Sequence, residues 1–132
     1  MGDSIQLAGF AVDKPVSEPG ASIQLKLLWR ALARPDKDYT VFVHLLDSDG
    51  NLVAGNDSQP LAGTYPTTIW SPNEQILDTR RLSIPGNLPP GQYQLAIGLY
   101  YQPTGRRLSL HLPDGGTVPN GRFILGQEIT IQ

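Results

Sequence analysis

Apolar and polar residues alternate along most of this chain with a period of two, the pattern of strands that bury one face. From Ser22 to Leu32, Ile23, Leu25, Leu27, Trp29 and Ala31 fall on one side, and Gln24, Lys26, Leu28 and Arg30 on the other. Gln92 to Tyr101 repeats the pattern, with Tyr93, Leu95, Ile97, Leu99 and Tyr101 in register. Ile5 to Val12 and Glu74 to Ile84 share this character, and Tyr39 to Asp47 (YTVFVHLLD) is dense in β-branched and aromatic residues. Asp47-Ser48-Asp49-Gly50 then Asn51 to Ala54 reads as a hairpin turn entering another strand, with Gly50 free to take positive φ. Arg106 to Leu112 and Arg122 to Ile131 are the last two strand-like runs, separated by the loop PDGGTVPNG. Residues 57–73 hold three prolines and no sustained period, so they predict a long connection with a short strand at Thr68-Ile69-Trp70. About eight short strands between Gly/Pro turns, with no helix, predict an all-β antiparallel sandwich.

Composition sharpens this. Fourteen Gly and twelve Pro among 132 residues punctuate the chain too often for long helices. The chain is nonetheless 39% apolar and only 17% charged, which separates it from disordered sequence. One domain spanning residues 1–132 is expected, with a core large enough to need no metal or disulfide. The strand pattern starts almost directly after Met1-Gly2, which suggests a domain cut from a longer protein. A net charge of −2 leaves no general basic field for nucleic acid. Arg80-Arg81 and Arg106-Arg107 are expected to point to opposite strand faces and so to form poor basic patches. No run approaches the ~18–20 apolar residues of a membrane span. The absence of Cys excludes thiolate metal sites and cysteine nucleophiles.

One corner narrows the sandwich. Leu88-Pro89-Pro90-Gly91-Gln92-Tyr93 places a Tyr two residues before the inward Leu95, as in the tyrosine corner of immunoglobulin- and fibronectin-like domains. Tyr93 is the candidate, with Leu95 at the place of an antibody domain's second Cys and Trp29 as a core tryptophan. A jelly roll is the alternative architecture.

Candidate chemistry is sparse. Asp47, Asp49, Asn51 and Asp57 suggest weak calcium binding, but Gly50 and Ser58 do not fit the EF-hand template, and a hairpin turn explains the same residues. His44 shares a face with Phe42 and Leu46 and reads as a packed imidazole; neither it nor His111 sits in a nucleophile motif. Glu74 and Asp78 would serve glycoside hydrolysis only if held ~5–9 Å apart in a cleft. No catalytic residue, metal ligand or cofactor is therefore assigned. The surplus is aromatic: Tyr65, Trp70, Tyr100 and Tyr101 are the candidate ligand-binding residues. Adjacent Tyr100 and Tyr101 must point to opposite faces, and Tyr65 and Trp70 lie in the long connection, where Trp70 could instead fold back as a lid.

The order of these segments carries a resemblance. Tyr39 to Asp47 is followed by Asp49-Gly50, Gly63-Thr64-Tyr65-Pro66-Thr67, Trp70-Ser71-Pro72 with Glu74, Leu88 to Tyr93, and Gly98-Leu99-Tyr100. It resembles the C-terminal β-sandwich module of bacterial membrane glycosyltransferases of the mannosyltransferase-like type, with Asn73 where that family usually has Gly. The resemblance implies a non-catalytic accessory domain outside the cytoplasmic membrane, in the cell envelope. Its expected partner is glycan or the parent membrane protein. The alternative is an immunoglobulin-like protein-interaction or spacer module with no small-molecule ligand.

Overall fold

The computed structural model describes residues 5–112, 116–118 and 121–132. The alternating runs become strands with alternating burial. β3 (Ser22–Ala31) buries Ile23, Leu25, Leu27, Trp29 and Ala31 as its pattern requires, and β6 (Gln75–Ser83) buries every second residue from Ile76 to Leu82. Each fully buried Leu or Ile stabilises the fold by roughly 1.5–3 kcal/mol relative to exposure. The other long strands are β1 (Ile5–Val12), β4 (Thr40–Leu46), β5 (Leu52–Ser58), β7 (Gly91–Tyr101) and β11 (Phe123–Ile131). Four two-residue strands join them: β2 (Val16–Ser17), β8 (Arg106–Arg107), β9 (Leu110–His111) and β10 (Thr117–Val118).

The strands form two sheets, one in the order β10-β9-β1-β3-β6 and the other β2-β11-β7-β4-β5, with β8 pairing with β7. Between them lies one core, which includes Trp29, Val41, Val43, Leu45, Trp70, Leu95, Ile97 and Ile129. The architecture is an all-β sandwich of immunoglobulin-like or jelly-roll-like character, but it departs from eight antiparallel strands. Among the described residues there are eleven strands. Two pairings are parallel, β1 with β9 and β2 with β11. Pro15 has no N–H to continue the first strand's ladder. Its carbonyl accepts from Thr130 N–H instead (2.7 Å), at the point where the chain passes to the second sheet. The run from Arg106 to Leu112 likewise divides, β8 joining β7 and β9 joining β1.

The predicted corner is present. Tyr93 is buried at the start of β7, and its hydroxyl donates to the Pro89 carbonyl at 2.7 Å. Leu95 and Trp29 are both fully buried. The hairpin after β4 turns through Gly50 at φ +82. There Asp47 accepts the backbone N–H groups of Asp49 (2.9 Å) and Asn51 (2.8 Å), a use of the acidic turn that needs no cation. These bonds, Asn51's first, hold the Asp47 carboxyl below the usual range. The short strand expected at 68–70 is a 3-10 turn, Thr67–Ile69. The loop PDGGTVPNG is partly described: Thr117–Val118 forms β10, while residues 113–115 and 119–120 lie outside the described residues.

Candidate functional site

The register brings several connections to one end of the sandwich. Arg30 near the end of β3 pairs with Gln75 at the start of β6, and Thr40 at the start of β4 pairs with Tyr100 near the end of β7. Val41 pairs with Ser58, the last residue of β5. Segments 32–39, 59–74 and 102–105 therefore share this end, where loops of immunoglobulin-like domains carry recognition surfaces.

The long 59–74 connection is fastened from both sides. Trp70, which the sequence offered either as a ligand-binding ring or as a lid folded back on the sandwich, is fully buried in the core, and its indole N–H donates to the Tyr65 carbonyl at 3.1 Å. It presents no face to a ligand and acts as the lid of the core. Tyr65 is half-buried, its hydroxyl donating to Glu74, which also accepts Ser71 N–H at 2.8 Å. The two groups shift each other, Tyr65 upward and Glu74 downward, chiefly through that hydroxyl–carboxylate bond. Thr67 is buried and bridges to segment 32–39, donating to the Lys37 carbonyl (2.6 Å) and accepting Tyr39 N–H (3.0 Å).

Beneath the connection lies a charged clasp. Arg80, 4% exposed, donates to Asp78 (2.8 Å), to Val41 O (3.3 Å), and to Oγ (2.9 Å) and O (2.8 Å) of Ser58. It also reaches Gln59 O at 3.3 Å, and Asp78 accepts Leu61 N–H at 3.2 Å. One side chain on the first sheet thus ties down the last strand of the second. Asp78 is 1% exposed and Glu74 accepts from Tyr65 and Ser71, so both carboxylates carry structural bonds.

On the outer face of the second sheet, Phe42, His44 and Tyr100 gather around Asp57. The Phe42 and His44 ring centroids are 4.7 Å apart, and those of Phe42 and Tyr100 6.2 Å. Asp57 accepts the Tyr100 hydroxyl at 3.0 Å and lies 3.5 Å from His44 Nε2. Burial is the main force pushing the His44 pKa down, with Asp57 pulling up and the guanidinium groups of Arg107 and Arg122 pushing down. Burial, then the Asp57 bond, raises Tyr100. Gly98 makes room for this packing, since a Cβ there would stand 2.5–2.6 Å from Phe42 ring carbons and overlap the Gly121 carbonyl oxygen.

Beside this cluster, at the loop end, is a cleft of about 440 Å³ lined by Asp36, Lys37, Tyr39, Tyr101, Thr104, Arg106, Arg107 and Leu108. Of the four aromatic candidates, only Tyr101 is part of this lining. Tyr65 and Tyr100 lie outside it, and Trp70 is in the core. Tyr101 stands edge-on to Tyr39 with centroids 6.5 Å apart, and Lys37 Nζ lies 5.6 Å from its ring centroid. Asp36 organises the rim, accepting from Tyr39 Oη and Lys37 Nζ, both at 3.0 Å. Lys37, then Tyr39, lowers the Asp36 pKa, while burial and the Asp36 bond push Tyr39 up to about 12.

The Arg106-Arg107 pair corrects the sequence expectation. The two residues do face opposite sides, Arg107 stacking 5.2 Å from the Phe42 centroid, yet both line the cleft. The cleft wraps around the end of β7, where inner-face Tyr101 pairs with Arg106 and outer-face Tyr100 with Arg107. Lys37, Thr104 and the arginines carried no motif of their own; their only signal was proximity to turns on either side of the strongest strands.

Fold and cleft together define a β-sandwich with a polar, aromatic-walled depression among its end loops. No family model matches the sequence, and no curated protein is similar enough to count as a relative. Solved structures match the fold. A β-glucuronidase from glycoside hydrolase family 2 aligns at a TM-score of 0.63 and 14% identity, over 94% of this chain and 13% of that one. The C-terminal domain of Wzt aligns at 0.61 and 13% identity, over 98% of this chain and 74% of that one. The alkylpurine DNA glycosylase AlkC of Pseudomonas fluorescens, bound to DNA containing an abasic site analog, aligns at 0.57 and 15% identity. The chain spans 31% of AlkC, so there, as in the β-glucuronidase, it corresponds to one part of a longer protein. At these identities what is shared is the sandwich fold. Among the described residues, no helix is long and apolar enough to cross a membrane, and no group of three or more His, Cys, Asp or Glu could hold a metal ion.

Proposed function

We propose that this chain is a non-catalytic accessory β-sandwich of a bacterial cell-envelope glycosyltransferase-like protein, held outside the membrane and binding glycan through its loop-end cleft. The observation that carries the reading is the cleft itself, where the half-buried Tyr101 ring stands among the Thr104 hydroxyl, Lys37 and the two arginines. An apolar wall with a few convergent polar groups suits a sugar, which offers both C–H faces and hydroxyls. The order of turn and core motifs supports the glycosyltransferase association and the envelope location. The non-catalytic role is supported by the engagement of Glu74 and Asp78 in structural bonds and by the lack of a nucleophile motif near His44. Titration of the ¹⁵N-labelled domain with neutral and acidic oligosaccharides should shift Tyr101, Thr104 and Arg106. No shift with any saccharide sinks the reading.

A second reading, docking onto the parent polypeptide, is favoured by the outer face of the first sheet. Leu28 and Leu77 pair directly across β3 and β6, and Leu77 is 53% exposed. Leu77→Lys should abolish co-purification with the parent under this reading and leave glycan titrations unchanged.

A further inference from the structure

The charge of the cleft narrows its ligand. The chain as a whole carries ten Lys and Arg against twelve Asp and Glu. Yet among the described residues the cleft gathers three of those cations, Lys37, Arg106 and Arg107, against the single carboxylate of Asp36. That carboxylate is already occupied by Tyr39 and Lys37. Its bond to Lys37 joins two half-exposed groups, at 46% and 48%, a type of pair worth little in water and readily exchanged for a ligand anion. Among the described residues Arg106 has no side-chain partner, and its exposed guanidinium presents a bidentate fork to a ligand. Arg107 is braced against the Phe42 ring and is therefore preorganised.

We propose that the cleft selects a saccharide bearing a carboxylate, a uronic acid unit, with Arg106 pairing the carboxylate, Lys37 and Arg107 adding positive field, and Thr104 and Tyr101 meeting the sugar ring. This rests on the glycan-binding reading and names the class of glycan. A neutral sugar would leave the Arg106 fork unused, whereas a carboxylate fills it with charge-assisted hydrogen bonds.

The test uses calorimetry and NMR at low salt with trigalacturonate, trimannuronate and a glucuronate-containing tetrasaccharide. Each is compared with its carboxyl-reduced neutral counterpart, and sodium acetate and inorganic phosphate serve as sugar-free anions. At least one acidic oligosaccharide is expected to bind roughly tenfold or more tightly than its neutral counterpart, since one charge-assisted bond is worth about that factor. The preference should fall with added salt and disappear in Arg106→Gln, while Arg81→Gln, an exposed arginine outside the cleft, leaves it intact. Equal binding of acidic and neutral forms at Tyr101 and Thr104 overturns this inference and keeps the glycan reading. Binding of acetate or phosphate as tight as that of any oligosaccharide overturns both, as does no binding by any probe.

Discussion

Arg80→Met isolates the clasp under the long connection. Methionine keeps much of the aliphatic stem but removes a guanidinium that bonds Asp78, Val41 O, Ser58 O and Oγ, and Gln59 O. What remains is the Asp78 carboxylate, 1% exposed and supported only by Leu61 N–H among the described residues. Breaking a buried ion pair by removing one partner costs ~3–5 kcal/mol. Against a total of ~5–15 kcal/mol for a domain, this is a large share. With a urea m-value of ~1.5–2 kcal/mol/M, the midpoint should fall by ~2 M at unchanged m. Replacing both partners, as in Asp78→Leu with Arg80→Met, removes the stranded charge and should recover ~1–3 kcal/mol relative to the single variant. Recovery stays partial because the Val41, Ser58 and Gln59 carbonyls lose their bonds to the guanidinium and Leu61 N–H loses its carboxylate acceptor. Urea unfolding followed by tryptophan fluorescence reads all three proteins. A midpoint loss under ~0.5 M for Arg80→Met, or a double variant no more stable than the single, would refute the clasp argument.

Four further outcomes follow from the geometry. Gly98→Ala must push apart the Phe42 ring and the Gly121 carbonyl, and should lose ~2–3 kcal/mol in thermal unfolding. Gly55→Ala, whose Cβ would stand 3.4 Å from His44 Cδ2, should lose under ~1 kcal/mol. Tyr93→Phe removes the hydroxyl bond to Pro89 O at the corner and should cost ~0.5–1.5 kcal/mol with little change in m. Burial holds the His44 pKa below its ordinary 6.5, so unfolding takes up a proton and stability falls as pH drops below that value, levelling once the folded imidazole is itself protonated. Thermal unfolding of wild type and His44→Gln from pH 7.5 to 5 should show that this slope is steeper in the wild type; parallel curves would remove His44 as its source.

The long strands were legible because burial of one face imposes a period of two, as in β3, β6 and β7. Asn73 was legible too. It stands where the resembling family places Gly, and it takes φ +68 while donating its N–H to Ala31 O at 2.6 Å. The parallel pairings were not legible, because strands of two residues carry no periodicity and are selected by what lies beside them. The left-handed backbone of Leu61 (φ 53) and Ala62 (φ 56) left no trace either, since neither residue type favours it and its neighbours impose it. For Trp70 the sequence left two readings, a ligand-binding ring and a folded-back lid, because hydrophobicity says that a ring can be buried, not whether a loop will carry it inward; the structure buries it. The cleft depended on which turns meet at one end, and that follows from strand order rather than from local sequence. Arg106 and Arg107 show this: adjacent residues on opposite faces still meet at one depression because a strand ends there.

The switch at Pro15 has a mechanical consequence. Ile5 pairs with Ala31 at the cleft end, whereas Ile131 pairs with Gly91 at the other, so the described chain enters and leaves the sandwich at opposite ends. Force applied across the two ends would draw β2 and β11 past each other along their common direction. Their links, Thr130 N–H to Pro15 O and Gln132 N–H to Ser17 O, would then bear load together rather than open one by one as in a peeled hairpin. A domain wired in this way resists stretching with a small patch of backbone, while the loops around the cleft lie outside that shear plane.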